Sequence, residues 1–373
     1  MMKISKSKNT LIIIIFLFSI SIVLFGMMLK LNSFPQNNEN RKLAELPSFK
    51  LEIKLLRNYP NNIINYFNDH FAFRNTFVRL NFLIRHNLFR ESPSRQVVLG
   101  KNGWLFYSKE DSIEDYRGIT HFDDNTLQNL ANSYENKRKF LSMRGIKYIL
   151  VLAPNKETIY GEWMPDYLYK ISNRNGLDEF ADYLTKHTSV DIIDVRKTLF
   201  DNKMREQLFL KTSSSWNDYA AFLAYREIMT LISQWFPEAH AYSLNEYNIQ
   251  REEIRGSDLA EMIGGADFIK EKDIFLIPKE PRKARKVDYN TSGNYKDSFG
   301  MKMENYNMPR VIIFRDCFFD KIIPFLSEHF EYSKYYWQSW NPDTPIAEMI
   351  ITVRPDIVIE EKVQRFLKLP KNP

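Results

Sequence analysis

Cysteine occurs once in these 373 residues, at Cys317, and its setting suggests a chemical role. It lies in the turn Arg315-Asp316-Cys317-Phe318, directly after the apolar run RVIIF of residues 310–314. A strand, a sharp turn and a helix can hold a nucleophile where backbone N–H groups also face a developing oxyanion. A thiol's ordinary pKa of ~8.5 falls at a helix N-terminus, which would make Cys317 a better nucleophile than a hydroxyl. The plainer reading of a lone cysteine in apolar surroundings is a small buried hydrophobe. A second segment, residues 210–219 (LKTSSSWNDY), sets Ser213, Ser214 and Ser215 ahead of Trp216 and Asn217. Its plain reading is a serine-rich loop that caps a helix. One cysteine excludes a disulfide framework and a multi-cysteine metal site. The six histidines (His70, His86, His121, His187, His240 and His329) are scattered, so neither a metal nor a cofactor is expected.

These loops need elements to position them. Residues 97–107 (VVLGKNGWLFY) set two apolar runs around Lys101-Asn102-Gly103, a strong hairpin signal. From there the pattern alternates. Helical spacing over 127–143 stops at Gly145, and residues 147–153 (KYILVLA) read as a buried strand ended by Pro154. Residues 177–187 read as helix, 190–195 as strand, and 217–235 as a long helix capped by Asn217. Strands are expected at 310–314 and 356–360, a helix at 319–330, and a short helix at the C-terminus. Alternating strands and helices predict an α/β fold with a parallel sheet flanked by helices. Chemistry in such sheets sits past the carboxyl ends of the strands. That selects the loops after Ala153, before Asn217 and after Phe314. The aromatic residues Tyr332, Tyr335, Tyr336, Trp337 and Trp340 suit either sugar stacking or core packing.

Residues 11–28 (LIIIIFLFSISIVLFGMM) carry no charge, and a run of about this length spans a bilayer core. Lys3, Lys6 and Lys8 precede it, which favours the N-terminus inside and the remainder outside. A cleaved signal peptide is the rival reading, and the lack of an A-x-A pattern after Gly26 favours an uncleaved anchor. The expected organisation is a basic tail over 1–9, an anchor over 10–30, a polar linker over 31–50, and a domain over 51–370 with an insertion about 236–309. Residues 51–90 have helical spacing of apolar and aromatic residues. The formal charge is +6, but residues 1–30 hold four lysines and no acid, so the remainder carries 48 basic and 46 acidic side chains. A nearly neutral exported part removes the main support for a nucleic-acid partner.

Several segments together resemble a known family. They are residues 40–44 (NRKLA), 69–74 (DHFAFR), 100–106 (GKNGWLF), 154–157 (PNKE), 256–260 (GSDLA) and 355–358 (PDIV). In this order they resemble the AlgX/AlgJ group of alginate O-acetyltransferases and their DHHW relatives. That resemblance covers most of residues 40–369 and implies an SGNH-hydrolase-like domain acting on an exported polysaccharide. It also implies a multispanning membrane acyltransferase as partner. The family's triad takes an Asp and a His from a D-x-H-W segment and a Ser from a D-S-F segment. Matched through Trp216, the Asp falls on Ser213 and the His on Ser215. The D-S-F segment falls on Asp316-Cys317-Phe318, so the nucleophile falls on Cys317.

All three triad positions are therefore substituted. A serine hydroxyl at Ser215 is no general base near neutral pH, and Ser213 has no charge with which to orient one. Arg315, Asp316, Trp216 and Lys156 are expected to contact substrate at the same loops. For Lys156 a solvated loop lysine is the plainer expectation. His329, 12 residues beyond Cys317 on a continuous helix, would stand ~18 Å along it, too far to serve as base. Three readings stay open. The chain is an impaired or non-catalytic member of a polysaccharide O-acetylation system; or an acyltransferase or esterase using Cys317; or an unrelated cell-surface binding scaffold.

Overall fold

The computed structural model describes residues 3–29, 44–48, 53–290, 297–304, 307–340 and 345–367. The polar linker expected over 31–50 and the segment at 40–44 fall largely outside them. The chain divides into two compact units, one of residues 1–94 with 260–268, the other of 95–259 with 269–373.

The first unit is helical. Helix α1 is Lys3–Met28, α2 is Ile53–His70 with Pro60 inside it, and α3 is Arg74–Phe82, which runs on as a π-helical stretch, Leu83–Phe89. Among the described residues no helix counts as long and apolar enough to cross a membrane. The apolar run of α1 includes Ile20, Leu24, Met27 and Met28, whose side chains lie outside the described residues. One face of α3 is packed: Val78 meets Gly264, Phe82 stacks on Phe268 at 5.8 Å between ring centres, and Arg79 pairs with Asp267.

The second unit is built on a seven-stranded sheet. A small hairpin precedes it, β1 (Val97–Leu99) and β2 (Leu105–Tyr107). Asn102 (φ 51°) and Gly103 (φ 79°) are both left-handed, as a type I′ turn requires. The next strands are β3 (Lys147–Ala153), β4 (Asp191–Asp194), β5 (Tyr247–Arg255), β6 (Lys270–Pro278), β7 (Arg285–Asn290) and β8 (Ser298–Lys302). Then come β9 (Arg310–Arg315), β10 (Tyr332–Trp337) and β11 (Ile357–Val363). The order across the sheet is β4-β3-β11-β9-β10-β8-β7. The first five run parallel, while β8 is antiparallel to both β10 and β7, so the sheet is mixed and not purely parallel. Strands β5 and β6 form a separate antiparallel pair within the expected insertion.

Alternation by two along the central strands feeds two cores. Ile149, Val151, Val311, Ile313, Ile357 and Ile359 face one of them, against the helix Asp218–Ile232. Tyr148, Leu150, Leu152, Ile312, Phe314 and Val358 face the other, under the helices Asp124–Ser142, Gly176–His187 and Ile346–Val353. Asn217 caps its helix as expected, accepting from the Ala220 N–H at 3.0 Å. The helix expected at 319–330 is broken into a 3-10 turn (Phe319–Lys321), one α turn (Ile323–Leu326) and a second 3-10 turn (Ser327–His329). Pro324 has no N–H to continue a helical ladder. Most of the aromatic run belongs to β10: Tyr335 and Tyr336 are buried, as is Trp340 just beyond, while Trp337 stays exposed.

Candidate functional site

The site lies past the carboxyl ends of β3, β9 and β11, where the 210–217 loop meets the turn after β9. Trp216 makes that junction. Its side chain is buried, its indole Nε1 donates to the Phe318 carbonyl at 2.7 Å, and its ring meets Phe318 edge-on at 5.1 Å. The Ser213–Ser215 and Asp316–Phe318 segments are thus brought together. Trp216 acts as their pin and offers no ring face to a substrate.

The serine loop is held from every side. Lys156, only 1% exposed, sends its ammonium to the carbonyls of Leu210 (3.2 Å), Lys211 (3.0 Å) and Ser213 (2.5 Å). It is not a solvated loop lysine: its ammonium faces the protein's own backbone. Burial pulls its pKa down to about 7, against the pull of Asp258, Glu271 and Glu157. Glu271 accepts from the N–H groups of Lys211 (2.7 Å) and Thr212 (3.2 Å) and from the Thr212 hydroxyl. Asp258 accepts from the Ser214 N–H at 3.0 Å and its hydroxyl at 2.5 Å. The Ser213 and Ser215 hydroxyl oxygens stand 3.4 Å apart, and Ser213 Oγ also takes the Ser215 N–H at 3.2 Å.

The turn after β9 is equally committed. The Asp316 N–H donates to Glu361 Oε2 at 3.1 Å, and Asp316 Oδ1 accepts from the Phe318 N–H at 2.8 Å. Glu361 is buried on β11; desolvation first, and then the neighbouring Asp316, push its pKa well above the usual carboxylate range. Arg315 is expected to face substrate but is buried, its guanidinium bonded to Asp320 at 2.5 Å and lying 4.6 Å from the Trp337 ring centre. Cys317 is partly buried. Desolvation, then Asp316, pushes its thiol up to about 12, and Arg365 offsets only part of this. The expected lowering at a helix N-terminus fails, because the next element is a three-residue 3-10 turn with no extended dipole behind it.

Among the described residues, no bond made by Ser213, Ser215 or Cys317 reaches a histidine. His329 is bound through Nε2 to the Tyr225 hydroxyl at 2.7 Å, and burial lowers its pKa to about 4. That hydrogen bond commits its Nε2 to Tyr225, and the helix expected to carry it beyond Cys317 is broken. Among the described residues no group of three or more His, Cys, Asp or Glu is placed to hold a metal ion. Sequence reasoning missed Glu271, Glu361 and the role of Asp258. It also missed Glu157, which burial raises to about 7, and Gln364, whose Oε1 accepts from the Asn155 N–H at 3.0 Å. The local signals were the segments at 256–260, which contains Asp258, and at 154–157, which contains Glu157.

Residues 97–297 match the family described as SGNH hydrolase-like domain, acetyltransferase AlgX. The matched stretch contains Lys156, Ser213, Ser215 and Trp216; Arg315, Asp316 and Cys317 lie beyond it. A curated relative, the probable alginate O-acetylase AlgJ of Pseudomonas syringae pv. tomato, is 25% identical over 172 residues. That alignment covers 46% of this chain and only 42% of the relative. Two structures of Bacillus cereus PatB1 share the fold. The one with a sulfonyl adduct has a TM-score of 0.56 and 16% identity, covering 73% of this chain and 97% of PatB1. The other has a TM-score of 0.55 and 16% identity, covering 72% and 95%.

Proposed function

Starting from a chain that belongs to the AlgX/AlgJ-like family of SGNH-hydrolase-like acetyltransferase domains, we propose that it serves a polysaccharide O-acetylation system without catalysing acetyl transfer through the family's triad. The observation that carries this reading is the state of the three triad positions. Among the described residues the Ser213 and Ser215 hydroxyls meet each other and the Ser215 N–H, the Lys156 ammonium takes the Ser213 carbonyl, and burial pushes the Cys317 thiol up to about 12. Among the described residues no histidine is bonded to the thiol to take its proton, and the family position of the charged orienter holds a neutral serine.

The intact scaffold then works by binding, either a polysaccharide or a multispanning membrane acyltransferase. Helix α1, with its charge-free run after Lys3, Lys6 and Lys8, is read as a single-pass anchor in the cytoplasmic membrane. The larger unit then lies outside the cytoplasm, in the periplasm or at the cell surface.

The test is acetate release by the purified full chain from an activated acetyl ester and from an O-acetylated polysaccharide. The reading expects rates no higher than those of Cys317→Ala. Triad-like turnover that disappears in Cys317→Ala would overturn it.

A further inference from the structure

Helix α3 and its π-helical continuation are apolar on two faces, and only one is covered. Val78 and Phe82 pack inward against Gly264 and Phe268. Phe77, Leu80, Ile84 and Leu88 recur at spacings of three and four along the other face, and all are exposed, Leu88 to 72%; Phe89 beside them is 60% exposed. A contiguous exposed apolar stripe of this kind marks an interaction surface. The stretch of chain that carries it is basic, although Arg79 pairs with Asp267 and Arg85 with Glu91. Residues 53–90 contain Lys54, Arg57, Arg74, Arg79, Arg85 and Arg90 against a single acid, Asp69. Basic residues flanking an apolar helical stripe are the composition of an interfacial helix.

The end of α1 shows what lies against this stripe. At Gly26 the helix approaches the α2–α3 corner so closely that a Cβ there would stand 2.7 Å from the Ala72 Cβ and 3.0 Å from the Phe73 ring. Phe73 is the residue from which α3 starts. If α1 spans the bilayer, its Gly26 end reaches the outer headgroup level and α3 begins at that level. We propose that the Arg74–Phe89 segment lies on the outer leaflet of the membrane, its Phe77-Leu80-Ile84-Leu88 stripe in the acyl boundary and its arginines among anionic headgroups. This rests on the anchor reading of α1.

The test uses the full chain with Cys317→Ser, carrying one new cysteine at a time, labelled with an environment-sensitive dye. The sites are Ile15→Cys in α1, Ile84→Cys and Leu88→Cys in the stripe, and Met204→Cys, which is 88% exposed in the other unit. Protein is reconstituted into phosphatidylcholine vesicles with or without phosphatidylglycerol, and quenching by lipid-borne spin labels is read. The proposal expects labels at 84 and 88 to be quenched several-fold more than at 204, with a blue-shifted emission that strengthens with phosphatidylglycerol. If the label at 15 is quenched while those at 84 and 88 match 204, the surface proposal falls and the anchor stands. An aqueous label at 15 removes the anchor and this proposal with it. Two further outcomes also overturn it: stripe labels shielded from aqueous iodide but untouched by lipid quenchers, which means a protein covers them, and quenching indifferent to phosphatidylglycerol.

Discussion

The Trp216 indole and the Phe318 carbonyl oxygen are joined at 2.7 Å across 102 residues of chain. That bond docks the serine loop on the cysteine turn, and among the described residues neither segment supplies a histidine.

Replacing Trp216 with Phe keeps most of the packing against Phe318 and removes the one donor. The buried Phe318 carbonyl is then left without its partner, at a cost of about 1–3 kcal/mol. Thermal and urea denaturation of the full chain in detergent will show the loss. An unchanged midpoint would mean that solvent reaches that carbonyl.

Cys317 will react slowly. With its thiol near 12, only about one molecule in 10⁴ carries a thiolate at pH 8, against roughly a quarter for an ordinary thiol. Alkylation by iodoacetamide is expected to be about 10³-fold slower in the folded chain than in urea, and to accelerate up to the highest pH the fold tolerates. A rate that saturates near neutral pH would contradict the burial of the thiol.

Restoring the family residues tests whether the scaffold still holds an active geometry. The triple variant Ser213→Asp, Ser215→His, Cys317→Ser supplies an orienter, a base and a hydroxyl nucleophile on segments already docked by Trp216. Ester hydrolysis should rise by about 10²–10⁴-fold, the usual contribution of a positioned general base, and Ser215→His alone should yield little. No gain from the triple variant, in protein that melts like the native chain, would show that the site has drifted in shape as well as in residues.

Parts of the site were legible because their signals are local. Asn102-Gly103 announces a type I′ hairpin by itself, and the runs at 147–153 and 310–314 are apolar enough to read as buried strands. The missed features depend on partners far along the chain. Lys156 reads as a loop lysine until Leu210, Lys211 and Ser213 close over it, and Glu271 contacts Thr212 from 59 residues away. Strand β10 was hidden because its Tyr and Trp residues suit a binding face as well as a core. The 319–330 segment has a helix-like apolar spacing, but its register is interrupted at Pro324.

Lys156 yields a prediction with a definite sign in pH. Its pKa falls from an ordinary 10.5 unfolded to about 7 folded, so between these values the unfolded chain binds more protons. Stability then rises with pH across that window, and the contribution of Lys156 is poorest below about 7, where a charge must stay buried. Opposing this, its ammonium satisfies three carbonyls that a hydrocarbon side chain would leave bare. Lys156→Met should therefore destabilise the chain, by about 2–4 kcal/mol if the bared carbonyls stay dry. The difference between native chain and variant should widen as pH is raised from 7 to 9. A gap that narrows over that range would mean that the three carbonyls hold the proton against burial, and that the ammonium form is what clamps the serine loop.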